Sequence, residues 1–185
     1  MYNFGLHVAG YDQPEVQGFL EREPFNFEAA RRAKGFVGRS GYIGEPGTRS
    51  WGPQVFPRFI EGSGRETGPS SLSLWQDIES LMAFAYNGVH ADALKHRRAW
   101  NLENSWPPLV LWWVDARHRP VWAEAAPKLE QLHDHGAGPS AFTFKQPYGP
   151  DGEPYVIDRA RVRELALANE DGQRELLAEV LKLKV

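Results

Sequence analysis

The sequence contains no cysteine, which excludes a disulfide scaffold, a thiolate metal site and a cysteine nucleophile. It also has little excess charge of either sign. Its 21 Lys and Arg residues and 24 Asp and Glu residues give a formal net charge of -3 and a pI of about 6.1. Nucleic-acid binding usually requires a concentrated basic surface, so no nucleic-acid partner is expected.

Long hydrophobic runs are absent as well. The longest, residues 109–114, is far shorter than the roughly 20 residues that span a bilayer. Residues 1–5 show no basic segment followed by an apolar run, so they do not resemble a signal peptide. We therefore expect a cytoplasmic protein with no membrane partner.

Several catalytic signatures are missing from the chain. It has no phosphate-binding loop, no Gly-x-Ser-x-Gly elbow and no dinucleotide fingerprint. Glu79 and Glu130 are far apart in the sequence, and neither is predicted to form an acid/base couple. His133 and His135 cannot share a helix face, so no metal site is expected.

Residues 71–90 form the most informative segment of the sequence. The alternation of Ser and Leu over residues 71–75 predicts a strand. Asp77 is placed as a helix N-cap, and apolar residues recur after it at helical spacing. Asn87 and Gly88 end that helix, and a second helix follows up to about Trp100.

The remaining elements are predicted from the same signals. Further strands are expected at residues 3–11, 36–43, 106–114 and 141–144, and further helices at residues 14–32, 121–135 and 159–185. Pro24 should divide the first of these helices into two pieces. An aromatic-containing insertion, residues 45–69, is interpreted as either a lid or a disordered loop.

This order of elements predicts an α+β fold with a ferredoxin-like antiparallel sheet and helices on one face. The open face of the sheet must be buried, and pairing two sheets into a dimeric α/β barrel would bury it in a homodimer. The predicted barrel domain spans residues 1–148 and includes the insertion 45–69. Residues 149–185 are expected to form a linker and a C-terminal helical extension that packs through a leucine-rich stripe.

Several parts of the sequence together resemble a bacterial family of the dimeric α/β-barrel superfamily. They are residues 73–86, His90, the pair Arg97-Arg98, and the segments 109–114 and 141–144. That superfamily includes antibiotic-biosynthesis monooxygenases, haem-degrading enzymes and, more loosely, spheroidene monooxygenases. The resemblance implies the fold and favours oxygenation of a small molecule. Fold alone does not establish function, because this fold supports many chemistries.

The resemblance also has implications for haem degradation and haem binding. Haem-degrading members use an Asn, a Trp and a His, and the corresponding positions here are His7, Phe84 and Leu94. None of the three residues is retained, so that activity is not expected. Spheroidene monooxygenases carry a His placed much as His90 is, which implies His90 as an axial ligand if haem is present.

His90, His7 and Arg97 are the candidate catalytic residues. His90 lies at a helix N-terminus, which disfavours the imidazolium and suits a neutral ligand or base. His7 is expected to point into the barrel and to face the same cavity as His90. Arg97 lies two helical turns beyond His90 and could bind a carboxylate or propionate.

The substrate pocket is expected to be aromatic, with walls formed by Phe84, Tyr86, Trp112 and Trp75. The leading hypothesis is an enzyme of specialised metabolism, a monooxygenase-type oxidoreductase acting on an apolar or aromatic small molecule, with or without haem. One alternative is a cofactor-free cyclase or isomerase that uses His7 and His90. The others are a non-catalytic haem- or ligand-binding protein and a structural dimer.

Overall fold

The structure is a computed structural model that describes all 185 residues, with four strands and five α-helices. The strands are β1 (Tyr2–Phe4), β2 (Phe36–Arg39), β3 (Ser70–Trp75) and β4 (Leu109–Val110). The helices are α1 (Gln17–Arg32), α2 (Ile78–Ala85), α3 (Gly88–Trp100), α4 (Trp122–His135) and α5 (Arg159–Val180).

The four strands form one open sheet in the order β2-β3-β1-β4. Strand β1 pairs antiparallel with both β3 and β4. With α1 between β1 and β2, and α2 and α3 between β3 and β4, this is the ferredoxin-like arrangement. The predicted α+β class and antiparallel sheet are therefore confirmed.

One face of the sheet is apolar and fully covered within the single chain. Tyr2 lies opposite both Leu72 and Val110, and all three side chains are 0% exposed. Helix α4 packs against β1 and β4, and residues of the 45–69 insertion, Trp51 among them, complete the cover. The opposite face carries Asn3, whose side-chain oxygen accepts a hydrogen bond from the Ser71 amide at 2.6 Å. The expected exposed apolar face is absent, because α4 and the insertion occupy it.

Strands β1, β2 and β4 are shorter than predicted, and the strand expected at residues 141–144 is absent. Regular pairing of the first stops at Phe4, and His7 makes only an isolated bridge to Asn101. Strand β4 cannot begin before Leu109, because Pro107 and Pro108 precede it and lack the amide hydrogen that pairing with a neighbouring strand requires. Residues 141–144 form isolated bridges instead of a strand, one of them between Phe142 and Leu111.

Helix α1 continues through Pro24, so the expected division at that residue is wrong. The break lies earlier, where a 3-10 turn at Pro14–Val16 leads into the α-helix. Proline removes one internal hydrogen bond, but packing of α1 on α3 and α5 stabilises the helix across it. The buried side of α1 includes Gly18, Arg22 and Ala29.

The chain divides into two compact units. The sheet unit comprises Met1–Leu6, Gly38–Leu74 and Asn104–Val156, and the helical unit comprises His7–Val37, Trp75–Glu103 and Ile157–Val185. In the sheet unit, the 45–69 insertion contributes Trp51, Val55, Phe56, Phe59 and Ile60 to the hydrophobic core, whereas residues 61, 62, 64, 66 and 67 are exposed.

The helical unit is built from α1, α2, α3 and α5. Every residue of α2 is buried, and Asp77 accepts a hydrogen bond from the Ser80 amide at 2.7 Å, which confirms the predicted N-cap. Helix α5 packs on the other three helices and buries Val162 and Val180. The C-terminal helix is thus an integral member of this unit. The predicted domain boundary after residue 148 stays a prediction.

Candidate functional site around His90

His90 lies in the first turn of α3, immediately after the junction with α2. Its Nδ1 is 2.8 Å from the carbonyl oxygen of Ala85, the last residue of α2. The last carbonyls of a helix have no partner within the helix, so this contact satisfies one of them. A carbonyl oxygen only accepts, so Nδ1 carries the proton and donates, and the neutral ring keeps its lone pair on Nε2.

The surroundings keep this ring neutral. Burial lowers the pKa of His90, and the hydrogen bond to Ala85 opposes that effect only in part. Its position at the N-terminus of α3 also disfavours a positive charge, because the helix dipole is positive there. The expectation of a neutral imidazole at this position is therefore consistent with the structure.

Three aromatic side chains extend from His90 in a continuous series. The Phe84 ring lies 5.0 Å from the His90 ring, and Trp75 stacks on Phe84 at 5.1 Å with an interplanar angle of 28°. Phe36 meets Trp75 edge-on, also at 5.1 Å. We refer to Phe36, Trp75 and Phe84 as the aromatic row. It gives the imidazole an apolar flank suited to a planar or apolar molecule.

His7 lies elsewhere in the helical unit. It is 3% exposed, its Nδ1 is 3.2 Å from the carbonyl oxygen of Trp100, and its ring packs against Tyr11 and Phe19. Trp100 ends α3, whereas His90 lies near its start. Ten residues of α-helix separate them, a rise of about 15 Å. The two histidines therefore contact opposite ends of α3, and the expected shared cavity is not found.

The other predicted site residues are dispersed. Arg97 is exposed in the last turn of α3, and Tyr86 is 53% exposed beside the α2–α3 junction. Trp112 belongs to the sheet unit, where Lys128 Nζ lies 5.9 Å from the ring centroid. Of the predicted pocket, only Trp75 and Phe84 come together with His90.

Sequence reasoning missed a buried ion pair in the helical unit. Arg22 Nε donates to Asp92 Oδ2 at 3.1 Å, with 2% and 5% of the two side chains exposed. The same guanidinium donates to the carbonyl oxygens of Lys184 at 2.8 Å and Leu183 at 3.2 Å. Two of the guanidinium nitrogens thus bind the C-terminal segment while Nε binds Asp92, so we assign the pair a structural role. The sequence signal for this buried pair was the position of Arg22, which lies one helical turn after Gly18 on the same face of α1.

No helix in the structure combines the length and hydrophobicity needed to cross a bilayer. Nor does any group of three or more His, Asp or Glu side chains have the arrangement of a metal site.

Comparison with protein families matches residues 1–158 to the family described as "Domain of unknown function (DUF3291)". The chain belongs to this DUF3291 family. No curated protein and no solved structure matches it. The DUF3291 match covers the whole sheet unit and both helices around His90, and it ends at Asp158, the N-cap of α5.

Proposed function

We propose that this DUF3291 protein is a small-molecule oxidoreductase of the monooxygenase type. An apolar or aromatic substrate would bind against the aromatic row, and the Nε2 atom of His90 would provide the reactive contact. The observation that carries the proposal is the 2.8 Å contact between His90 Nδ1 and the Ala85 carbonyl, which leaves a lone pair on Nε2 in a neutral ring. The resemblance to dimeric α/β-barrel monooxygenases supports the choice of reaction class.

A haem would be held by the imidazole of His90. A haem iron needs only one or two axial ligands from the protein, so a single imidazole suffices where three clustered ligands would be needed for a bare metal ion. Histidine ligands usually donate their second ring nitrogen to a carbonyl or carboxylate, as His90 does here. A bound haem would supply the oxygen chemistry.

The chain itself would contribute orientation and exclusion of water. The Ala85 carbonyl holds the His90 ring in one tautomer. Phe84 and Trp75 cover one side of the site with apolar surface. A low-polarity surrounding favours a neutral ligand and an apolar substrate.

Titration of the purified protein with haemin tests this proposal. We expect a Soret band with one haem bound per chain, and we expect His90→Ala to lose it. His118→Ala is the matched control, because His118 is an exposed histidine that contacts Glu124 at 2.8 Å. Equal haem binding by wild type and His90→Ala would contradict the proposal.

The neutral, half-buried state of His90 favours a second candidate, cofactor-free proton transfer in a cyclase or isomerase. In that case His90 alone is the base, since His7 contacts the other end of α3. Removing a general base usually costs on the order of a hundredfold in turnover. A protein without a Soret band, and with such a loss in His90→Ala, would favour this candidate. A colourless protein that binds ligand without turnover would favour a non-catalytic binding role.

A further inference from the structure

The sheet unit contains two buried hydrogen-bond donors that have no partner. One is the hydroxyl of Tyr2, a residue that is 0% exposed, and the other is the indole Nε1 of Trp106. Leaving such a donor unpaired is unfavourable, so native proteins seldom do so without a reason. Both side chains pack in the same hydrophobic core.

The contacts of Trp106 place it beneath one segment of the insertion. Its ring stacks on Phe59 at 4.8 Å with an interplanar angle of 11°, and on Phe4 at 5.9 Å. Phe56 also contacts the Phe4 ring, at 6.0 Å. We call residues 56–60 the strap. Trp106 thus lies between the strap and the apolar face of β1.

Tyr2 is connected to the same segment through Glu130 of α4. Tyr2 and Phe4 lie on one face of β1, two residues apart. Burial raises the pKa of Tyr2, and the nearby charge of Glu130 raises it further. Glu130 Oε1 in turn accepts a hydrogen bond from the Arg58 amide of the strap, at 2.7 Å. The Tyr2 hydroxyl therefore stays protonated and remains a hydrogen-bond donor.

We propose that the strap covers a binding site for a small, neutral aromatic ketone or related carbonyl compound, whose oxygen accepts hydrogen bonds from Tyr2 and Trp106. Two donors match the two lone pairs of a carbonyl oxygen. The aromatic rings of Phe4, Phe56 and Phe59 match an aromatic body. A carboxylate ligand is disfavoured because Arg58, the cation of the strap, is already paired with Glu130 and Asp134, which makes the ligand neutral.

The strap is attached in a way that permits opening. Arg58 Nη1 donates to Asp134 Oδ2 at 3.0 Å, and both side chains are more than a third exposed. Exposed ion pairs contribute little to stability. The Phe59 ring also contacts His133 edge-on at 5.0 Å. The ligand would enter when these surface contacts separate.

Calorimetric titration of the full chain with three probes tests the site: acetophenone, ethylbenzene, which lacks the acceptor, and benzoate, which carries a charge. We expect acetophenone to bind more tightly than either of the others. Tyr2→Phe should weaken acetophenone binding by about three- to tenfold, in line with the loss of one hydrogen bond, and should leave ethylbenzene binding unchanged. Trp106→Phe should act in the same direction.

Tyr148→Phe is the matched control, because Tyr148 is a half-buried tyrosine of the same unit that packs on Phe142. Circular dichroism should show that Tyr2→Phe remains folded, since the change removes only an unpaired hydroxyl. Equal affinity for acetophenone and ethylbenzene would overturn the proposal, as would an unchanged affinity in Tyr2→Phe. Absence of acetophenone binding would also overturn it and would assign the two donors to ordered water only.

Discussion

At the scale of single residues, His90 shows how one hydrogen bond determines what a side chain can do. The sequence places a histidine at the start of a helix, where a charged ring is disfavoured. Only the structure shows that the last carbonyl of α2, that of Ala85, is its acceptor. That contact, and not the position in the helix, leaves Nε2 with the lone pair.

The stability of the protein should depend on pH through His90. Burial lowers the pKa of this residue below its ordinary value of about 6.5, so the unfolded chain binds the proton more readily than the folded chain. The stabilisation is fully present above about pH 6.5 and is lost as the pH falls towards the lower folded pKa. Urea unfolding at a series of pH values should show this decline.

The variant His90→Gln should flatten that decline, whereas His118→Gln should not, because His118 is exposed. NMR titration of the His90 ring would measure the folded pKa directly. An identical pH dependence in wild type and His90→Gln would contradict the prediction.

At the scale of elements, the α2–α3 junction orients His90. Gly88 has a φ of +56°, a conformation that residues with a Cβ rarely adopt. A Cβ at this position would lie 2.2 Å from the Gln173 side-chain oxygen, which accepts a hydrogen bond from the Val89 amide at 3.2 Å. Gln173 of α5 therefore satisfies an otherwise unpaired amide of the first turn of α3.

Gly88→Ala should destabilise the protein by more than the roughly 1–2 kcal/mol that a left-handed backbone costs. The excess arises because the new methyl group displaces Gln173. Urea unfolding measures the loss. Gly44→Ala is the control, since Gly44 has a φ of +83° and a Cβ added there would meet no atom within 4 Å. Equal losses in the two variants would show that the Gln173 contact does not matter.

At the scale of the whole molecule, the C-terminal helix is essential to the helical unit. Helix α5 lies beyond the residues that match the DUF3291 family, yet it packs on α1, α2 and α3. Buried Arg22 binds the carbonyls of Leu183 and Lys184 just after it. The segment after residue 158 therefore completes the helical unit.

Deletion of the residues after Pro154 should greatly lower the melting temperature, because it removes one of the four helices of that unit. Circular dichroism during heating would measure the change. Val180→Ala should lower the free energy of unfolding by roughly 2 kcal/mol, because Val180 is 0% exposed. Its neighbour Leu181, which is 63% exposed, provides the control Leu181→Ala. An unchanged melting temperature after the deletion would contradict the prediction.

The homodimer stays a prediction that rests on the resemblance to dimeric α/β barrels. Its physical premise, an exposed apolar sheet face, is removed because Tyr2, Phe4 and Leu72 are already buried in the single chain. A dimer would therefore have to use another surface. Sedimentation of the purified protein should show twice the mass of the chain, and a stable monomer at micromolar concentration would contradict the prediction.

Apart from a strand expected at residues 141–144, the sequence by itself determined the order of the strands and α-helices. It also determined the α+β class and the N-cap at Asp77, because alternation, helical spacing and capping are local properties. It also indicated the aromatic contact of His90 with Phe84 and, through it, Trp75. It could not show that His7 contacts the far end of α3, since that depends on how far β1 continues. Nor could it show that α4 and the insertion cover the apolar face of the sheet. Those outcomes depend on which surfaces distant segments bury against one another. A local sequence pattern does not indicate which distant segment a surface will pack against.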